Sequence, residues 1–190
     1  MTQLDKILTF WFGDVQDISR LKPCKAWFTK DPAFDETVRQ FQPDYEQAAA
    51  DHLDRWMDSP QGCLGLALLL DQFPRNLFRG QPRSFATDPK ALSVAQHAIA
   101  QRFDQQLLTV QRQFLYFPLE HSENLEHQHQ AVTLFHHFSD DADLCDTYDF
   151  ALRHQAIVQR FGRFPHRNQI LGRTSTPEEA EFLTQPGSSF

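Results

Sequence analysis

Cys63 to Leu70 reads CLGLALLL, the longest apolar run in the chain, with eight residues including Gly65. It is too short to cross a bilayer, which takes about 20 residues. Read as a helix over about residues 63–73, it is apolar nearly all round, so other elements must cover it on most sides. Asp71 follows at once, in phase with Leu64 and Leu68. A carboxylate there is partly buried and needs a partner. Arg75 stands one turn on, at the favourable i,i+4 spacing. Two readings stay open for Asp71, a structural pair with Arg75 and a ligand-facing group.

The segments that must cover this helix are helical too. Leu4, Ile7, Leu8, Trp11 and Phe12 recur at helical spacing over 3–12, and Gly13 stops them. A looser stretch with Pro23 follows. Residues 32–58 carry Phe34, Val38, Phe41, Tyr45, Ala48, Ala49, His52 and Trp56, and Pro43 should kink or divide them. Ser59-Pro60-Gln61-Gly62 is a break. The central helix should meet its end at Pro74 and fray by Gly80. Thr87-Asp88-Pro89 reads as a cap with a first-turn proline, opening a helix to about 102. Residues 106–117 read as helix until Pro118, and Ser122 can cap the next to about 138. A helix over 146–161 ends with Gly162 as a cap. Thr176-Pro177-Glu178-Glu179 is a capping box that starts a last short helix.

The pattern predicts an all-α fold of seven to nine helices in stacked antiparallel hairpins, with no convincing strand pair among only seven glycines. We expect a single domain over 1–185 and a loose tail over 186–190. No strict 34-residue repeat is present, so any kinship with repeat solenoids is structural. Eighteen Phe and three Trp supply enough apolar surface for a core without metals or disulfides. Eighteen Lys+Arg against twenty-five Asp+Glu leave −7, which argues against nucleic acid as a partner. No membrane span or signal peptide is expected. Three widely spaced cysteines, Cys24, Cys63 and Cys145, without a CxxC, fit reduced thiols in a cytoplasm.

Charge is segregated. All five lysines lie at or before Lys90. Gln72 to Thr87 holds Arg75, Arg79 and Arg83 with no acid; Phe150 to Pro177 holds Arg153, Arg160, Arg163, Arg167 and Arg173, with His154 and His166, again with no acid. Between them, Gln113 to Leu152 has eight acids, five histidines and no Lys or Arg. Arg grips carboxylate or phosphate with a planar fork. Two Arg windows around an acid-and-His window therefore read either as an anion pocket facing acid/base groups or as helices docked by ion pairs. Both Arg windows share wording: DQFPRNLFRG over 71–80 and GRFPHRNQILGR over 162–173. In each, Pro frees backbone carbonyls that the following Arg and Asn can satisfy, unless those side chains hold a ligand. In the first these are Arg75, Asn76 and Arg79; in the second His166, Arg167, Asn168 and Arg173.

PLEHSE over 118–123 sits at a helix start, where Glu120, His121 and Glu123 suit general acid/base work and Ser122 and Glu123 equally suit a helix cap. His154 shares a face with Phe150, Ile157, Val158 and Phe161, the setting of a hydrogen-bonded core histidine. Glu126 and His129 have Glu-x-x-His spacing, but no second such motif accompanies them, so no metal is expected. GxGxxG, Walker, GxSxG and HExxH motifs are missing, and no cofactor is expected. Cys24 beside Lys25 and Trp27 has no histidine near it in sequence.

The segments ILTFWFGD, KAWFTKDPAFDETV, LALLLDQFPRNLFRG, SFATDPKAL, FLYFPLEHSENLEHQ and RFPHRN…LGRTSTPEEAEFL together resemble a family of bacterial and eukaryotic proteins catalogued as a domain of unknown function. The resemblance covers nearly the whole chain and implies a TPR-like all-α fold, without an activity. Glu120 departs from it, since an apolar residue, often Met, is expected there. This moves weight to His121 and Glu123. The expected site is then Asp71, His121 and Glu123 as proton-moving groups, with Arg75, Asn76, Arg79, His166, Arg167, Asn168 and Arg173 as ligand-binding groups. Three functions compete. One is a binding module for an anion or acidic peptide, another an enzyme acting on a small anionic substrate, and the last a structural protein whose polar blocks stitch helices together. The oligomeric state stays open.

Overall fold

Helix signals in the sequence become helices in the computed structural model, which describes residues 1–13, 24 and 27–189. Thr2 caps α1 (Gln3–Phe12) through a capping box with Asp5, and Gly13 ends it at φ 82°. Asp31 caps α2 (Pro32–Val38). A 3₁₀ turn at Arg39–Phe41 joins it to α3 (Gln42–Ala49), the division that Pro43 leads one to expect. Ser59 caps α4 (Pro60–Ala67), which widens into a π turn at Leu68–Gln72 and continues as α5 (Phe73–Leu77). Then come α6 (Asp88–Ala100), α7 (Thr109–Glu120), α8 (Leu125–Phe135), α9 (Cys145–Phe161) and α10 (Pro177–Phe182). With α2–α3 and α4–α5 each taken as one continuous element, there are eight helices among the described residues, and no strand.

Pro74 does not end the central helix. A proline inside an α-helix clashes with the carbonyl four residues back. The π turn relieves this: the Phe73 amide donates to Leu68 O instead of Leu69 O, and Leu70 O accepts the Thr87 hydroxyl at 2.7 Å. Thr87 is thereby diverted from capping α6, where its side chain makes no cap bond. Pro118 likewise lies inside α7, in its last turn. The next helix is capped by Asn124, not Ser122: the Asn124 side chain accepts from Glu126 N and His127 N, while Ser122 Oγ lies 2.8 Å from His127 Nδ1. That helix closes at Phe135 and a 3₁₀ turn carries the chain to Phe138. The Pro23 stretch, Lys25 and Phe190 lie outside the described residues.

The apolar run is wrapped as its sequence demands. Cys63, Leu64 and Leu66 to Leu70 are fully buried, and α4 packs against α1, α6 and α7. Gly65 permits the close approach of α1, since a Cβ there would stand 2.4 Å from Leu4 Cδ1. Trp11, Trp27, Phe73 and Phe114 fill the space beside it with tilted and edge-on rings 5.1–5.7 Å apart, the spacing aromatic rings prefer. From α6 onward each helix packs on the next, α6 on α7, α7 on α8, and α8 on α9. A second, small cluster of Ile157, Val158 and Phe164, with Phe161 and Phe182, gathers the end of α9, the following turn and α10. Among the described residues no helix is long and apolar enough to cross a membrane.

Candidate functional site

The π turn aims Asp71 inward. Its side chain is 0% exposed. Oδ1 accepts from His121 Nδ1 at 2.7 Å and lies 3.2 Å from Arg75 Nη1, and Oδ2 accepts from Gln72 Nε2 at 2.6 Å. Arg75 Nη1 also donates to the Asp71 carbonyl. Burial alone would push the Asp71 carboxyl up, but the Arg75 guanidinium and the His121 ring outweigh it and hold the group well below the usual carboxylate range. For His121, burial comes first and Arg75 second. Both push it down, against the pull of Asp71, so the ring is neutral at pH 7. A neutral ring that donates Nδ1–H to Asp71 keeps a lone pair on Nε2. The His121 side chain keeps 16% of its surface exposed.

The two Arg windows meet at Asp88. Arg75 grips its carboxylate with both terminal nitrogens, at 3.0 and 3.2 Å, and Arg167 Nη1 reaches Oδ2 at 3.3 Å. Both guanidinia lie over the Phe85 ring, with Cζ at 5.7 Å for Arg75 and 4.7 Å for Arg167, and Phe164 backs Arg167 at 4.6 Å. Arg167 is 8% exposed, and its Nε is buried with no hydrogen-bond partner. Burial and the neighbouring Arg75 push Arg167 down to about 10. His166, on the same turn, is pushed down to about 3 by burial and then by Arg167.

The other predicted residues are tied up in pairs. Glu123 stands before the cap of α8 and accepts two bonds from Arg173, at 2.7 and 2.9 Å, and one from Phe164 N at 2.8 Å. Arg173 also donates to Asn168 Oδ1 and Phe164 O. Asn168 Nδ2 turns to Ser175 and Glu179, and Arg163 grips Glu179 at 2.6 and 2.8 Å, holding that carboxyl at about 2. Arg79 and Asn76 turn to Asp35 on α2, away from His121. So Asp71, His121, Arg75, Arg167 and His166 come together. Glu123, Asn168 and Arg173 brace the loop that carries Arg167, and Arg79 and Asn76 anchor α5 to α2.

Sequence reasoning missed Asp88, which it read only as part of a helix start, and Phe85, the shared platform. It named Glu120 as an acid/base candidate and His154 as a core histidine, but not their pairing. These two are nearly fully buried, 2.8 Å apart, with the His154 ring 6.2 Å from that of His121. The acid-free span around Arg75 was the available clue to Asp88, since the first carboxylate after it is the natural partner. Among the described residues no group of three or more His, Cys, Asp or Glu side chains could hold a metal ion. A surface cavity of about 300 Å³ lies elsewhere, lined by Gln3, Lys6, Gln40, Phe41 and Asp44, remote from this chemistry.

No curated protein matches the chain. A solved structure of a protein of unknown function from Agrobacterium tumefaciens is similar to it, with 39% identity and a TM-score of 0.83 over 95% of this chain and 96% of that one. Residues 7–187, which include every residue of the candidate site, match the family described as bacterial protein of unknown function (DUF924), and the chain belongs to that family.

Proposed function

We propose that the chain binds a small anion between Arg75 and Arg167 and that His121, oriented by Asp71, moves a proton on it. The observation that carries this reading is the junction of a buried carboxylate–imidazole pair with two guanidinia through Asp71 and Arg75. A neutral imidazole with a fixed tautomer and a free lone pair is a general base. Adjacent guanidinia supply the charge that holds an anion and steadies negative charge developing beside it. Such a site would deprotonate a hydroxyl or a water next to the bound anion, which is the enzyme reading. Binding of an acidic peptide is the weaker alternative, because the cations converge on one point instead of lining a groove. The purely structural reading accounts for Glu123–Arg173, Arg163–Glu179 and Arg79–Asp35, but not for a partly exposed His121 joined to two guanidinia through Asp71 and Arg75. Neighbour-on-neighbour packing from α6 to α9 supports TPR-like helical hairpins as the fold type, and the cysteine usage supports a cytoplasmic location.

The test is thermal unfolding of wild type, Arg167→Ala and His121→Gln against phosphate, phosphate esters, carboxylates and acidic peptides. A ligand at 100 times its dissociation constant adds about 2.7 kcal/mol. The expected result is a shift with one small anion that Arg167→Ala abolishes and His121→Gln retains. Shifts indifferent to Arg167 overturn the reading, and a shift with peptides alone favours the alternative.

A further inference from the structure

The proposed anion site is already filled by the protein itself. Asp88 lays a planar carboxylate between Arg75 and Arg167, the two guanidinia that lie over the Phe85 ring. The fit is unequal. Arg75 holds it with two nitrogens, whereas Arg167 reaches it with one, at 3.3 Å, and keeps a buried Nε without a hydrogen-bond partner. A buried guanidinium this poorly met is costly, because its desolvation is only partly offset. Asp88 is not locked in by its own surroundings: its side chain is 18% exposed and stands in the first turn of α6, next to solvent. Thr87, which precedes it, is pinned to Leu70 O, so the backbone can stay while the side chain turns out.

Resting on the anion-site reading above, we propose that Asp88 is an internal stand-in for the ligand, and that the ligand is a small carboxylic acid whose carboxylate replaces that of Asp88. Exchange keeps the charge balance of the interior, with Asp71 and one further carboxylate against Arg75 and Arg167, while Asp88 passes into water. A carboxylate arriving from solvent is not tethered to α6 and can present both oxygens to Arg167, as Asp88 cannot. The shape of the site favours carboxylate over phosphate. Phe85 and Phe164 lie against the Arg167 guanidinium and leave its donors free only in their own plane, which two carboxylate oxygens match and the additional oxygens of a tetrahedral phosphate do not. His121, joined to Arg75 through Asp71, then stands beside the acid that this subsite holds.

The test is chemical rescue. Asp88→Ala vacates the subsite and should melt well below wild type, since two guanidinia lose their shared partner. Titrated at constant ionic strength, acetate should restore more than half of the lost melting temperature along a saturating curve, and phosphate and chloride should not. Asp88→Asn keeps the size and removes the charge. By calorimetry it should bind acetate at least tenfold more tightly than wild type, which settles the matter if Asp88→Ala fails to fold. Absence of rescue together with unchanged acetate affinity in Asp88→Asn overturns the inference, as does better rescue by phosphate. Failure of the underlying anion reading looks different: wild-type shifts are then indifferent to Arg167→Ala, whatever Asp88→Ala does.

Discussion

Phe73-Pro74-Arg75-Asn76 and Phe164-Pro165-His166-Arg167-Asn168 use nearly the same words and deliver an arginine to the same carboxylate and the same phenyl ring. They are held by different forces. The first block continues a helix whose apolar residues are buried in the main core, and Phe73 is fully buried among aromatic rings. The second lies on a 3₁₀ turn, Pro165–Arg167, outside any long helix. Phe164 is fully buried as well, but in a cluster of three buried residues, and the loop is fastened mainly by charge through Glu123, Arg173, Arg163 and Glu179. The later arginines diverge accordingly. Arg79 turns outward to Asp35 with 36% exposure, and Arg173 turns inward to Glu123. Similar local sequence thus builds one arm of the site by hydrophobic burial and the other by ion pairing. The second arm should therefore be the one that responds to pH and salt.

The sharpest way to break this contrast is at the buried carboxylate of the first arm. Asp71→Ala leaves Arg75 and His121 without their shared carboxylate in a buried setting and should cost about 3–5 kcal/mol in urea unfolding. Unchanged stability would remove the first arm from the argument. Glu123→Ala releases Arg173 and the Phe164 amide together. Charged hydrogen bonds of this kind are worth about 1.5–3 kcal/mol. Faster amide exchange should then be confined to 162–182, with α4 and α5 unaffected, and exchange that rises throughout the chain would show that the arms are one unit. Acid gives a smaller and graded effect. Folding holds His166 at about 3 and also lowers His121, whereas an unfolded histidine titrates near 6.5. Between those values the unfolded chain binds more protons, so stability is full above about 6.5 and falls as pH drops towards 3. His166→Gln should flatten that slope in pH-dependent melts, and an unaltered slope would assign it to other groups. Arg79→Ala should change least, about 1 kcal/mol or less, because its pair with Asp35 is exposed and screened.

Much of this architecture was legible because it is periodic. Helical spacing marked most of the helices, the apolar run announced its own burial, the capping box at Thr176 marked the start of the last helix and Gly162 the end of the one before it. Phase and the i,i+4 spacing offered the buried pair of Asp71 and Arg75 as one of two readings. What escaped has a common physical cause. Asp88 pairs with Arg167 across 79 residues, and Glu120 meets His154 across two helices, so neither partner leaves a local trace. Phase says that a side chain points inward; it does not say what waits there. The two helix-internal prolines misled for a related reason. Pro74 is tolerated because the turn before it is wide, and Pro118 lies in the last turn of α7, close to where the helix ends anyway.

The wide turn at Leu68–Gln72 also has a consequence for how this chain can vary. Each residue of an α-helix advances the direction of its side chain by about 100°, and a π turn is one residue wider than the turn it replaces. Deleting one leucine between Leu68 and Leu70 would restore a regular helix and leave the core composition almost intact. The wide turn absorbs its extra residue locally, so the two halves would stay in phase; what would be lost is the room before Pro74, whose ring would then meet the carbonyl four residues back. The wide turn and Pro74 therefore depend on one another: removing a leucine should cost about the 3 kcal/mol of a proline inside a regular helix, and replacing Pro74 at the same time should recover it.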